Sequence, residues 1–167
     1  MVKVKNRHRL KKKQIRSLVE EIFDEYGSDG GLADGCEVEI GTIDGFGQVV
    51  FVEKTLCFIR DDSNRLVVSL QGLNRCGFSG RRVIVDMGAV GFVTNGADVM
   101  APGIVETDSG IEPNSIVWVC DVNNKKPLAI GEALVSSEEM KTSSKGKAVR
   151  TILWVGDALW EISKDLE

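Results

Sequence analysis

Val85-Asp86-Met87-Gly88-Ala89-Val90-Gly91-Phe92-Val93-Thr94-Asn95-Gly96-Ala97-Asp98-Val99-Met100-Ala101-Pro102-Gly103-Ile104 is the stretch on which the reading of this chain turns. The β-branched run Val83-Ile84-Val85 ends at an aspartate. Three glycines and three alanines then surround a short apolar segment, and Pro102-Gly103 closes it. Small residues at that density mark backbone that bends tightly or lies close to something else. Either a compact fold needs the room or a ligand does. Residues 87–94 read as a short helix or turn that Asp86 caps. On such a helix Phe92 and Val93 are expected in the core.

Outward from this stretch the second half is strand-rich. Residues 82–85 and 98–100 read as short strands, and 104–113 as a polar excursion. Residues 116–121 and 128–135 pair across Asn123-Asn124. Ser136 with Glu139 has the spacing of a capping box. Residues 148–155 and 158–162 are expected to form a closing hairpin at Gly156-Asp157. About six short strands separated by turn signals point to a small barrel. Trp118, Trp154 and Trp160 fall in strand patterns and are expected to pack it.

The first half is organised differently. Residues 10–26 predict a helix, with Ile15, Leu18, Val19, Ile22, Phe23 and Tyr26 on one apolar stripe. A glycine- and aspartate-rich loop follows over 27–35. Strands are expected at 36–40, 48–52, 55–60 and 66–70, and residues 73–80 read as the boundary between two domains. The resulting unit is α+β, with one helix and about four strands.

The order V-D-x-G-A, then F-V-x-x-G-A-x-V-M-x-P-G-I, resembles the signature of the PUA domain. The later block Lys145-Gly146-Lys147-Ala148-Val149-Arg150, with Trp154-Val155-Gly156-Asp157-Ala158-Leu159-Trp160, resembles the way that domain ends. The basic helix and short strands of the N-terminal part are similar to the pre-PUA domain of one translation-factor group. That group contains the malignant T-cell-amplified-sequence proteins, ligatin and small archaeal relatives. The resemblance implies an α+β pre-PUA domain over 1–78 with a basic N-terminal arm, then a mostly-β PUA pseudo-barrel over 79–167. It also implies RNA binding, at the small ribosomal subunit and at tRNA ends, in initiation, reinitiation or recycling. Eukaryotic relatives work beside a partner with an SUI1-like domain, so an equivalent protein partner is an expectation by analogy.

Net charge is -4, but its distribution is uneven. Lys3, Lys5, Arg7, Arg9, Lys11, Lys12, Lys13 and Arg16 place eight positive charges and no acid in the first sixteen residues. The rest of the chain carries -12. Such asymmetry suggests an electrostatic arm for phosphates on an acidic body. Its plainer reading is a solvated helix start. In the helix, bases come first and acids last, against the macrodipole, which favours an external partner for the basic end.

Four cysteines at 36, 57, 76 and 120 make no C-x-x-C pair, and His8 is the only histidine. Neither a zinc site nor a Ser-His or Cys-His pair is supported. Gly45-Phe46-Gly47 is not followed by the rest of a dinucleotide fingerprint, and no P-loop lysine follows a glycine loop. No apolar run reaches the roughly 18 residues of a membrane span. The expectation is a cytoplasmic protein without enzymatic activity, cofactor or metal, and with no membrane partner.

Carried over by motif, the resemblance places the RNA face at Met87, Gly88, Ala89 and Phe92, then Asn95, Gly96 and Ala97, with Pro102 and Gly103 shaping its edge. Lys145, Lys147 and Arg150 flank it as sources of charge. The basic arm, Lys5 to Arg16, is the second expected contact. Two other functions stay open: an accessory module for a tRNA or rRNA modification enzyme, and a protein-interaction adaptor.

Overall fold

The computed structural model describes residues 2–32 and 35–166. The chain divides into two compact units, residues 1–78 with 161–167, and residues 79–160.

In the first unit a five-stranded antiparallel sheet runs β1 (Lys5–Arg9), β2 (Val38–Ile43), β3 (Gly47–Val52), β4 (Thr55–Arg60) and β5 (Leu66–Val68) in spatial order. Helix α1 (Lys12–Tyr26) buries Leu18, Ile22 and Tyr26. The Tyr26 hydroxyl donates to Leu66 O at 2.9 Å and accepts from Val68 N at 2.8 Å, fixing the end of α1 over β5. Phe23, expected on the buried stripe, is 57% exposed. Helix α2 (Leu70–Cys76) occupies the first half of the expected boundary segment. Ser69 accepts from Gly72 N and starts it, and Gly77 in the left-handed region ends it. Such a cap pair defines a helix too short for periodicity to reveal.

Strand β1 was not expected, because no apolar residue alternates in Lys5-Asn6-Arg7-His8-Arg9 and all five are exposed. What makes it a strand is its neighbour. Lys5, Arg7 and Arg9 each meet an acid of the β2 region, Asp44 at 2.8 Å, Glu39 at 3.1 Å and Glu37 at 3.1 Å. Arg7 also lies 3.9 Å over the ring of Phe51, a cation–π contact that buries the apolar stem of the side chain.

In the second unit the strands are β6 (Arg82–Val85), β7 (Val99–Met100), β8 (Ile104–Thr107), β9 (Ile116–Asp121), β10 (Pro127–Ala133) and β11 (Lys147–Trp154). They form one nearly closed, barrel-like sheet in the order β7-β11-β10-β9-β6-β8. Every pairing is antiparallel except β6 with β9. Its interior is filled by Val83, Val85, Val117, Val119, Ala129 and Val149, with Trp154 packed against them. Trp118 is buried as expected.

Two expectations fail here. The polar excursion begins as β8, whose Thr107 pairs with Val83. The expected strand at 158–162 is helix α5 (Ala158–Asp165). Asp157 is the reason: its carboxylate accepts from Trp154 N at 2.9 Å and from Trp160 N at 2.8 Å. Those bonds stop β11 and satisfy a free N–H of the helix start, which a hairpin turn would not need.

Candidate nucleic-acid interface

Helix α3 (Met87–Val93) follows β6 directly, and Asp86 caps it by accepting from Ala89 N at 2.9 Å. The helix is apolar on all sides, yet only Val93 is buried. Met87 is 49% exposed and Phe92 70% exposed, so the expected core position of Phe92 is wrong. Seven residues leave room for one inward face. The barrel takes Val93, with Val90 and Ala89 partly covered, and Phe92 is left outside.

Between α3, β7 and the turn at 101–103 lies an open groove of about 600 Å³. Of the residues expected at the RNA face, Gly88, Ala89, Phe92, Ala97, Pro102, Gly103 and Lys147 line it. The lining also includes Asp86, Val93, Asp98, Val99 and Met100, which were not expected as site residues. Met100 on its two-residue strand carries no local signal; Phe92 was carried over to the RNA face by motif, while the rule that an aromatic on a short helix packs inward assigned it to the core.

The other expected residues have structural employment or stand apart. Asn95 donates its Nδ2 to Gly91 O at 2.9 Å, closing the end of α3. Gly96 has φ +86° and lies against Trp154. Arg150 pairs with Glu132 at 3.2 Å. Met87 and Lys145 are exposed but do not line the groove.

Lys147 and Asp98 form the polar rim. Asp98 accepts from Thr151 N at 3.0 Å and from the Lys147 ammonium at 3.2 Å. Burial alone would raise the Asp98 carboxyl, but the Thr151 N–H and Lys147 outweigh it and hold the group below its ordinary value. It therefore stays ionised, and Lys147 arrives at the groove already paired.

The basic arm is also divided by the fold. Its β1 cations are engaged with Asp44, Glu39 and Glu37. The hydrogen bond from Arg7 is the main reason the Glu39 carboxyl sits below its usual range. Lys11, Lys12, Lys13 and Arg16 at the start of α1 are exposed and have no ion-pair partner among the described residues. Two of the four acids further along α1 are tied down instead: Glu21 to Arg60, and Glu25 to Arg65 at 2.7 Å. Contacts within the unit thus explain Glu21 and Glu25, and leave the cations at the helix start unexplained by folding. Among the described residues no three His, Cys, Asp or Glu side chains gather as metal ligands would.

The PUA domain model matches residues 81–152. An uncharacterized protein of Methanocaldococcus jannaschii is 36% identical over 95% of this chain and 98% of its own length. Translation machinery-associated protein 20 of Saccharomyces cerevisiae is 32% identical over 77% of this chain and 70% of its own. The crystal structure of a hypothetical protein from Pyrococcus horikoshii OT3 superimposes with a TM-score of 0.82 at 34% identity, covering 94% of this chain and 99% of that one. A PUA-domain structure from Aeropyrum pernix K1, solved as a tartrate complex, gives 0.86 at 26% identity, covering 98% and 92%. This chain belongs to the family of PUA-domain proteins that includes translation machinery-associated protein 20.

Proposed function

We propose that this protein is a non-catalytic RNA-binding protein of the translation apparatus. In this reading residues 1–78 form a pre-PUA domain and the PUA domain begins at residue 79. Its RNA is small-subunit rRNA or a tRNA near its 3′ end, and the step is initiation, reinitiation or recycling. A protein with an SUI1-like domain is the partner expected by analogy. The name of the yeast relative supports the link to translation.

The observation that carries the reading is the cluster Lys11, Lys12, Lys13 and Arg16, unpaired on an otherwise acidic chain. Four like charges in the first turns of a helix oppose its dipole, by up to about 1 kcal/mol each. A polyanion relieves that repulsion by trading places with condensed counterions. The groove beside α3 is the second contact. There the small residues Gly88, Ala89, Ala97 and Gly103 leave backbone close to the surface, where phosphate and sugar contacts position a chain.

The test is sedimentation of the tagged protein with ribosomal subunits, followed by sequencing of crosslinked RNA. Enrichment of small-subunit rRNA and tRNA ends is expected. Recovery with a modification enzyme and no ribosomal association would replace this reading with the accessory-module one.

A further inference from the structure

Three of the four free cysteines gather around helix α2 and belong to neither RNA contact. Cys57 lies on β4 and is fully buried, while Cys76 is the last residue of α2 and is 9% exposed. The start of the helix is pinned to that strand. Ser69 N donates to Cys57 O at 2.8 Å, and Ser69 Oγ donates to Leu56 O at 2.7 Å. Further along, a Cβ at Gly72 would lie 2.7 Å from Cys57 Cα, so only glycine lets the helix sit this low on β4. Cys76 follows Gly72 by four residues and projects from the same helix face. It is thereby carried to Cys57, whose thiol donates to the Cys76 sulfur.

The two thiols are not equivalent. Cys76 faces the 27–35 loop, where a Cβ at Gly30 would lie 3.3 Å from its sulfur and 3.2 Å from the ring of Phe78. That cover leaves Cys76, and not Cys57, a narrow opening to solvent, which suits a small oxidant. The Cys57 S–H and the neighbouring Arg75 charge outweigh burial and hold the Cys76 thiol below its ordinary value, and the thiolate is the reactive form. Arg75 also donates to Cys36 Sγ at 3.8 Å, so the third cysteine stands at the edge of the same cluster.

We propose that Cys57 and Cys76 form an oxidation site for peroxide, in which Cys76 reacts with the oxidant and Cys57 closes a disulfide. The Cys76 sulfur attacks one oxygen of hydrogen peroxide. An S–O bond forms, the O–O bond breaks, and the departing hydroxide takes a proton as water. The Cys57 sulfur then attacks the sulfenic sulfur of Cys76. The S–S bond forms, the S–O bond breaks, and hydroxide leaves with the Cys57 proton as a second water. Two thiols are oxidised and one peroxide is reduced. The bond closes the segment that carries β5, whose Leu66 O and Val68 N hold Tyr26 at the end of α1. Oxidation thus stiffens the seat of the helix that begins with Lys12, Lys13 and Arg16. Where thiols are kept reduced, such a bond is transient.

The experiment uses the full chain carrying Cys36→Ser, so that the exposed thiol cannot link two molecules. The protein is treated with hydrogen peroxide, alkylated in denaturant and mapped by mass spectrometry. Alkylated cysteines should fall from three to one, with the Cys57 and Cys76 peptides joined and Cys120 labelled. Dithiothreitol should restore all three. The melting temperature should rise by at least about 5 °C on oxidation, as a bond made within the native fold requires. With Cys57→Ser added, Cys76 should keep added oxygen, since nothing resolves it. With Cys76→Ser added instead, Cys57 should stay unoxidised. Three thiols surviving a peroxide dose that oxidises Cys36 in the wild type overturns the site. So does a disulfide between any other pair, oxygen on Cys57 in the Cys76→Ser variant, or a fall in melting temperature. RNA binding enters none of these readouts.

Discussion

Gly96 lies against the indole of Trp154 so closely that a Cβ there would be 2.8 Å from the ring. The two residues join the end of α3 to the last barrel strand. Gly96 also has φ +86°, a conformation that costs any other L-residue. Gly96→Ala should therefore lower stability by about 2–3 kcal/mol, combining backbone strain with overpacking. Thermal denaturation measures this. RNA affinity of the fraction still folded should not change, since Gly96 does not line the groove.

Neutralising the α1 cations should act on salt dependence. Four phosphate contacts predict a loss of about a hundredfold in affinity between 50 and 200 mM salt. Replacing Lys11, Lys12 and Lys13 with alanine should reduce the slope of log affinity against log salt by about three. Replacing Lys5, Arg7 and Arg9 should change the slope much less, because their charges are spent on β2. Fluorescence anisotropy across a salt series separates the two. Equal slopes for both triple variants would count against the division of the arm.

Asp108 accepts from Arg82 N at 2.9 Å and from the Arg82 guanidinium twice at 3.0 Å. Arg82 is the main cause that holds the Asp108 carboxyl below its ordinary value. A depressed folded-state value means stability that is present above the unfolded value, near pH 4, and lost as pH falls through the folded one. Asp108→Asn should cost roughly 1–2 kcal/mol at neutral pH. The gap to the wild type should close as the pH drops below about 4. Urea titrations at pH 7 and pH 3 test both the size and the sign.

The cysteines should differ in reactivity. Cys57 is fully buried and its thiol is pushed up by the hydrogen bond with Cys76 and by burial. Burial pushes Cys120 up to about 11. Only Cys36 is partly exposed. Alkylation of the native protein at pH 8, read by mass spectrometry, should label Cys36 first. Cys57 and Cys120 should label only with unfolding, because the thiolate is the reactive form.

The parts of the fold legible in the sequence are those with a local signal. The helix cap at Asp86, the hairpin of β9 and β10 and the stripe of Leu18 and Ile22 each declare themselves within a few residues. Strand β1 does not, because its partners Glu37, Glu39 and Asp44 are more than twenty-five residues away. Helix α5 was misread because Trp160 and Ile162 alternate as strand residues do, while the decisive fact is the side chain of Asp157. The site was half legible for a related reason. Small residues could be read as room for a ligand, but a seven-residue helix that is apolar all round does not say which face turns inward. Only the packing of Val93 decides that Phe92 stays outside.

The first unit is assembled from both ends of the chain: residues 1–78 are joined by those from Glu161 onward, with the second unit inserted between. During synthesis at about 5–20 residues per second, the returning segment is made roughly 4–16 s after Phe78. The sheet and both helices of the N-terminal unit are made by Cys76, before any barrel strand. That unit can therefore gather its core first and receive its returning segment only after the barrel's last strand, so its completion, not its start, waits on the insert.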